Sequence, residues 1–126
     1  TVLHLAAVGG HVDVVQLLLS RPELIRNVRD LLGWSALHRA CRNGQSEVVQ
    51  CLLEDGGFTV TAPDRHGDSP LHLAADHGNE EVYDMVELLL DHGANPNVED
   101  HRGDSPFVRA VNGGHERIVK LFLSRG

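Results

Sequence analysis

Several features are scarce in this sequence, and each shortage excludes a class of protein. The longest uninterrupted apolar runs, such as Leu17 to Leu19, are only a few residues long, so we expect no membrane-spanning segment. Lys and Arg number 11 against 18 Asp and Glu, and the net charge of −7 argues against a general nucleic-acid binder. The phosphate-cradling motifs G-x-x-x-x-G-K-[ST] and G-x-G-x-x-G are absent, so the sequence offers no nucleotide-binding loop.

Cysteine is also scarce, and its placement indicates a reducing environment. The two cysteines, Cys41 and Cys51, fall at apolar positions of predicted helices. We interpret them as free thiols in a packed core rather than as a disulfide. The expected localisation is therefore cytoplasmic, nuclear or both.

An internal repeat of about 34 residues organises the whole chain. A short block opens each unit, as TVLHLAA, SALHRAC, SPLHLAA and SPFVRAV, and the block-to-block spacings are 34, 34 and 36 residues. The blocks begin at Thr1, Ser35, Ser69 and Ser105. The same register returns a glycine at Gly10, Gly44, Gly78 and Gly114, followed each time by an apolar run. This period predicts stacked copies of one structural unit.

Each block has the chemistry of a helix start. The Ser or Thr is predicted to be an N-cap, and Pro70 and Pro106 follow where a missing N–H costs nothing. A small residue five positions on allows a second helix to approach closely, and the glycine ends the first helix. The apolar run after the glycine has helical spacing, and Asp, Asn and Gly before the later blocks are typical of turns.

Three segments and the period of the repeat carry a resemblance to a known family. The segments are the SPLHLAA block, the GHVDVVQLLL of the first unit and the DHGANPN of the third. On these features the chain resembles the ankyrin-repeat family. The resemblance implies a mainly α fold, a solenoid of stacked antiparallel helix pairs joined by β-hairpin-like fingers. It implies one domain of four repeats, the first and last incomplete, at residues 1–29, 30–63, 64–99 and 100–126. Repeat two lacks the proline, and repeat four has Val108 in place of the histidine. We also expect the chain to be part of a longer array.

Repeat three departs from the others in length. Gly78 and Leu90 are 12 residues apart, whereas the equivalent glycine and leucine of each other repeat are 9 apart. Because Val82, Val86 and Leu89 keep helical spacing, we predict that the second helix of repeat three is longer by about one turn.

Nine histidines raise the question of a metal or catalytic site. His4, His38 and His72 recur at one repeat position, where they can hydrogen-bond back across a helix start, and successive copies lie too far apart to share a zinc ion. Asp68, Ser69 and His72 superficially resemble a nucleophile constellation, but capping already accounts for Ser69 and His72. We therefore predict no enzymatic activity, no metal and no cofactor.

The usable surface of a solenoid is its extended curved face. The resemblance implies that partners bind the concave side, formed by the fingers and the first helices. The candidate positions that the repeat leaves free are Leu31, Leu32, Trp34, Arg39, Arg42, Asn43, Arg65, His66, Asp68, Asp76, His77, His101, Arg102, Asp104, Arg109 and Asn112. Trp34 with Leu31 and Leu32 suggests an exposed apolar hot spot, with packing over the neighbouring finger as the alternative. The arginines favour a partner that combines an apolar anchor with acidic side chains.

The expected function is a scaffold or adaptor that binds another protein or peptide. The alternative is a regulatory ankyrin region of a larger enzyme, channel or ubiquitin-ligase adaptor. A small-ligand or nucleic-acid binder is disfavoured by the acidic balance. The resemblance adds one modification site, because Asn97 aligns with the finger asparagine that an asparaginyl hydroxylase can modify, although Asn95 and Pro96 depart from the usual neighbours.

Overall fold

The computed structural model describes residues 1–21, 26, 28–77 and 80–125. Within these residues the chain forms eight α-helices and no β-strand. The four first helices of the pairs are α1 Val2–Gly9, α3 Ala36–Arg42, α5 Pro70–Ala75 and α7 Pro106–Asn112. The four second helices are α2 Val12–Leu19, α4 Ser46–Asp55, α6 Glu80–Asp91 and α8 Glu116–Arg125. Among the described residues, none of the helices combines the length and hydrophobicity that crossing a membrane requires.

The helices stack as two parallel layers. The first helices contact one another in the order α1, α3, α5, α7, and the second helices in the order α2, α4, α6, α8. Each first helix also packs on the second helix of its own pair. The core lies between the layers and contains fully buried side chains from every pair, although the first pair contributes only the small Ala7 and Val15. The largest fully buried apolar side chains are Leu37, Leu52, Leu71, Met85, Leu89 and Ile118. The predicted solenoid of helix pairs is confirmed.

The predicted helix starts are present at all four blocks. The hydroxyl of each block's first residue accepts a hydrogen bond from the backbone N–H three residues later, and Pro70 and Pro106 each follow a capping serine. The capping residues are Thr1, Ser35, Ser69 and Ser105. Of the four glycines after the first helices, Gly10, Gly44 and Gly114 have φ of +69°, and Gly78 lies outside the described residues.

The second helix of the third pair is the longest described helix. α6 contains 12 residues, whereas α4 and α8 contain 10 each. Val82, Met85, Val86 and Leu89 of α6 are all fully buried, so one apolar face of the helix packs on the core along its length. The residue boundaries of the four repeats stay a prediction.

Histidines connect each pair to the next. The imidazole Nδ1 of His38 accepts the Ser35 backbone N–H at 3.2 Å, and its Nε2–H donates to the Asp68 carbonyl of the following unit at 3.1 Å. His72 repeats the pattern with Ser69 at 3.0 Å and the Asp104 carbonyl at 2.9 Å. These residues therefore do hydrogen-bond back across the helix start, as predicted, and they also join neighbouring units.

Three fingers, residues 30–34, 64–68 and 100–104, connect successive helix pairs. In each finger the first residue's N–H bonds to the last residue's carbonyl, at 3.0, 2.8 and 2.8 Å respectively. Neighbouring fingers are also bonded, Arg65 N–H to the Leu32 carbonyl at 3.3 Å and His101 N–H to the His66 carbonyl at 2.9 Å. The fingers therefore form a hydrogen-bonded row along one side of the stack.

This row requires glycine in the inner fingers, which yields a stability prediction. Gly67 has φ of +79°, and a Cβ there would lie 2.9 Å from the His101 backbone nitrogen of the next finger. Gly103 has a similar φ of +85°, but a Cβ there meets no described atom within 4 Å. We expect Gly67→Ala to destabilise the chain by about 2 kcal/mol and Gly103→Ala by about 1 kcal/mol, because only the first adds a backbone clash to the left-handed strain.

Urea unfolding of the two glycine variants and the wild type checks this expectation. The two substitutions impose a similar backbone strain. The difference between their losses in the free energy of unfolding therefore measures the cost of the contact with the neighbouring finger. Equal losses at Gly67 and Gly103 would show that the fingers do not pack as closely as the structure indicates.

Candidate functional site

The candidate site is built on the row of fingers. We define the finger tips as the two residues after the first aspartate of each finger, namely Leu31, Leu32, Arg65, His66, His101 and Arg102. All six are exposed, and Leu31 is 84% exposed, which is the largest value among the exposed large apolar residues. The tips therefore offer one apolar end followed by basic and imidazole side chains, with no acidic residue among them.

The aspartate that opens each finger turns its carboxylate away from the tips. One oxygen of Asp64 accepts the backbone N–H groups of His66 at 2.7 Å and Asp68 at 2.9 Å, and Asp30 and Asp100 bind their own fingers in the same way. This arrangement fixes the turn and satisfies two backbone donors per finger. These acids therefore serve the turns, and Asp64 and Asp100 are buried rather than exposed beside the tips.

The second carboxylate oxygen of each of these aspartates binds a different donor. Asp30 accepts from Arg39 Nε at 2.7 Å and Asp100 from Arg109 Nη2 at 2.7 Å, each nine residues later in the chain. Asp64 has Leu73 at that distance in sequence, and it accepts instead from Trp34 Nε1 of the preceding finger at 2.7 Å. The sequence analysis did not predict the Asp30–Arg39 and Asp100–Arg109 contacts. The nine-residue spacing between aspartate and arginine was the signal that could have predicted them.

Trp34 is therefore a structural residue, and the expectation that its side chain is exposed is corrected. Its indole is half-buried against the core, its N–H is held by Asp64, and the Arg39 guanidinium lies 4.5 Å from the ring centroid. A side chain with its polar atom bound and one face covered by a cation offers little to a partner. The hydrogen bond to Asp64 of the next finger agrees with the alternative, packing over the neighbouring finger.

Arg109 is the centre of a buried ion network and is likewise not a surface residue. Its guanidinium donates to Asp68 at 2.5 Å, to Asp100 at 2.7 Å and to Asp76 at 3.0 Å, and its side chain is only 8% exposed. Asp68 and Asp76 come from the preceding unit, so the network joins α7 to the finger and first helix before it. The prediction of Arg109 and Asp68 as free partner contacts is therefore corrected.

Burial and hydrogen bonding act in opposite directions on this network. Burial acts to raise the pKa of Asp100, but hydrogen bonds from the Asp104 N–H and Arg109 outweigh it and hold that pKa well below its usual range. Burial raises the pKa of Asp68 despite the opposing hydrogen bond from Arg109. Burial alone would lower the pKa of Arg109, but the hydrogen bonds to Asp68 and Asp100 outweigh burial and hold that pKa above its usual value. The guanidinium is therefore charged at every working pH.

Comparison with known families agrees with this architecture. A family model described as "Ankyrin repeats (3 copies)" matches residues 1–64 and again residues 59–126. The chain belongs to the ankyrin-repeat family. No curated protein matches the chain. Ankyrin repeats are generally protein-interaction modules and are typically non-catalytic, so the exposed surface of this ankyrin-repeat chain is a candidate binding site.

One buried group in the ankyrin stack has the composition of a metal site. A ligand atom from each of Asp68, His72 and Asp100 lies within 4.8 Å of the others. The Arg109 guanidinium already binds both carboxylates, and both His72 nitrogens are engaged, by the Ser69 N–H and the Asp104 carbonyl. A cation placed there would have to displace a guanidinium held by three carboxylates, so the residues do not fit a metal.

Asp68, Ser69 and His72 also do not form a nucleophile site. The Ser69 hydroxyl and His72 Nδ1 are 2.9 Å apart, but His72 Nε2 faces a backbone carbonyl rather than a carboxylate. The Asp68 carboxylate binds Arg109 instead of the imidazole. A general base needs a group that orients it, and His72 here is oriented as a helix cap.

The remaining predicted residues lie in the fingers, on the first helices or just after them. Arg39 is half-buried on Asp30, and Asn43 donates to the Arg39 carbonyl at 2.8 Å. The exposed carboxylate of Asp76 is shared with Arg109, and the His77 ring hydrogen-bonds the Arg42 carbonyl. Arg42 and Asn112 are exposed, and Asp104 is half-buried with Arg102 4.0 Å away.

Asn97 lies apart from the finger tips, in the turn after α6. It is exposed, and its backbone N–H donates to the Asn95 side chain at 2.9 Å. Its modification by a hydroxylase stays a prediction.

Proposed function

We propose that this ankyrin-repeat chain is a scaffold or adaptor module that binds a protein or peptide across its finger tips and the adjoining first-helix surface. One observation carries the proposal: all six finger tips are exposed and none is acidic, although the chain has a net charge of −7. A surface that reverses the sign of the overall charge steers and selects partners of the opposite sign.

The partner that suits this surface combines an apolar anchor with acidic side chains. Leu31 is 84% and Leu32 43% exposed, side by side at one end of the row. Exposed leucines next to a basic surface gain from burial by an apolar side chain, while Arg65 and Arg102 can bind carboxylates. Leu31 and Leu32 with Arg65 and Arg102 therefore replace Trp34 as the expected centre of binding.

We also propose that the chain is not itself catalytic and that it works in the cytoplasm or nucleus. The absence of catalysis is supported by the buried polar side chains of repeats three and four, because they already bind one another. Asp68 and Asp100 bind Arg109, and His72 binds the capping residue Ser69. Two free thiols support the second point: Cys41 is buried, Cys51 is half-buried, and burial raises the pKa of the Cys41 thiol. Buried, protonated thiols are suited to a reducing compartment.

The proposed surface is tested by comparing two matched double variants in a quantitative capture experiment. Leu31→Ser with Arg65→Ser removes one apolar and one basic finger tip. Leu17→Ser with Arg21→Ser makes the same chemical change at exposed positions away from the fingers. We expect the first pair to reduce recovery of the main captured proteins by about tenfold or more, because it removes both an anchor and a charge, and the second pair to leave it unchanged.

Two results would contradict the proposal. Equal recovery with both double variants would place the partner elsewhere on the stack. Salt-sensitive binding of DNA or RNA that depends on Arg65 would show that the basic finger tips serve a nucleic acid instead of a protein.

A further inference from the structure

The finger tips have a regular spacing that follows from their hydrogen bonds. Within a finger the two arms are bonded to each other, as Asp64 N–H is to the Asp68 carbonyl at 2.8 Å, and neighbouring fingers are bonded through Arg65 to Leu32 and His101 to His66. Hydrogen-bonded chain segments lie about 4.8 Å apart, and each finger contributes two segments. Equivalent tips of successive fingers are therefore about 10 Å apart.

This spacing matches an extended peptide laid along the row. An extended chain rises about 3.3 Å per residue, so a step from one finger to the next corresponds to about three residues. A helical partner would need about seven residues for the same step, because a helix rises only about 1.5 Å per residue. The two partner conformations thus predict different sequence patterns.

The side chains of the finger tips are apolar in the first finger and basic or imidazole in the second and third fingers. The first tips are Leu31 and Leu32, the second are Arg65 and His66, and the third are His101 and Arg102. Between the second and third fingers, His66, His101 and Arg102 line a hollow of about 330 Å³ together with Asp68, whose carboxylate is held by Arg109. An acidic side chain entering this hollow meets imidazole and guanidinium donors, and at Arg102 it competes with the Asp104 carboxylate 4.0 Å away.

We infer that the finger tips bind an extended, acidic peptide segment in which an apolar residue is followed by acidic residues three and six positions away. The apolar residue covers Leu31 and Leu32, and the first acid binds Arg65. The second acid enters the hollow beside His101, which is the tip equivalent to Arg65 in the next finger. The inference rests on the proposed function and adds the conformation of the partner and the spacing of its side chains. Charge complementarity selects the acids, and the finger spacing selects their separation.

Selection from a phage-displayed library of random linear peptides, with the whole chain as bait, tests the inference. We expect enrichment of an apolar residue with acidic residues three and six positions away, and about tenfold weaker binding of a selected peptide to Arg65→Glu. Selection on Arg65→Glu itself should enrich a basic residue three positions from the apolar one. Arg21→Glu makes the same charge change away from the fingers and should leave the selected pattern unaltered.

The possible failures are distinguishable from a failure of the proposed function. Acidic residues seven positions apart would overturn the extended conformation in favour of a helical partner, while finger-tip binding would stand. Enrichment without an acidic preference, or no enrichment, would overturn the inferred motif, whereas the capture experiment with Leu31→Ser and Arg65→Ser would still decide whether proteins bind the finger tips. A pattern that Arg65→Glu and Arg21→Glu change equally would place the peptide away from Arg65.

Discussion

Replacing Arg109 with leucine is expected to lower the free energy of unfolding by about 3–5 kcal/mol, because the substitution strands buried carboxylates. Asp68 and Asp100 have side chains only 9% and 1% exposed, and both bind the guanidinium at 2.7 Å or less. Without the cation neither carboxylate has a counter-charge, and water reaches them poorly. Urea unfolding followed by circular dichroism measures the loss.

Arg39→Leu is the matched control, since Arg39 occupies the same repeat position as Arg109. Its side chain is 29% exposed and binds one carboxylate, that of Asp30, which is 17% exposed. Partly exposed ion pairs contribute little, so we expect a loss of about 1 kcal/mol, including the stacking on Trp34. Adding Asp68→Asn to Arg109→Leu should recover about 1 kcal/mol, because it removes one of the stranded charges.

The pH dependence gives a second way to recognise this network. The pKa of Asp100 is lower in the folded chain than in the unfolded chain, so its contribution to stability is present above pH of about 4 and is lost as the pH falls further. Arg109→Leu removes the main side-chain cause of that lowering. The gap in stability between wild type and variant should therefore narrow in acid. A gap no larger than that of Arg39→Leu at neutral pH would contradict a buried network.

The fold was predictable from the sequence because its signals are local and repeated. Ser69 and Pro70 specify a helix start within a few residues, and the glycine after each first helix is a local stop. Four copies of the same pattern then favour stacking, because each unit covers the apolar face that the neighbouring unit turns towards it. No long-range contact had to be known to reach the stacked helix pairs.

The burial of individual surface candidates could not be predicted in the same way. Arg39 and Arg109 occupy one repeat position and each has an aspartate nine residues earlier, yet only Arg109 is buried. The difference comes from Asp68 and Asp76 of the preceding unit, which are 41 and 33 residues away from Arg109 in sequence. Trp34 was misjudged for the same reason, because its partner Asp64 is 30 residues away. A repeat pattern assigns positions but not the partners that variable residues find across units.

Acidification from pH 6.5 to pH 4 is expected to remove about 3 kcal/mol of stability through His38 alone. Burial lowers the pKa of His38 to about 4, outweighing the hydrogen bond to the Asp68 carbonyl, which acts to raise it. The unfolded chain binds the proton at a pKa of about 6.5, so between these values it holds more protons than the folded chain. The contribution is therefore complete above pH of about 6.5 and declines as the pH falls towards 4.

The geometry explains why the folded chain rejects this proton. His38 Nδ1 accepts the Ser35 N–H, and Nε2 already carries the hydrogen that binds the Asp68 carbonyl of the next unit. A second proton would face the Ser35 donor inside a fully buried site, so protonation costs both desolvation and a hydrogen bond. Acid thus acts at a contact that joins repeats two and three.

The contribution of His38 is isolated by measuring urea unfolding of wild type, His38→Gln and His66→Gln between pH 7 and pH 4. Carboxylates also titrate in this range, but they do so in all three chains, so their contribution cancels in the differences. The stability advantage of wild type over His38→Gln should shrink by about 3 kcal/mol across the range, and His66→Gln is the comparison at an exposed histidine. A constant difference between wild type and His38→Gln would mean that the folded chain accepts this proton as readily as the unfolded one, and that the histidine contacts between repeats do not depend on a neutral imidazole.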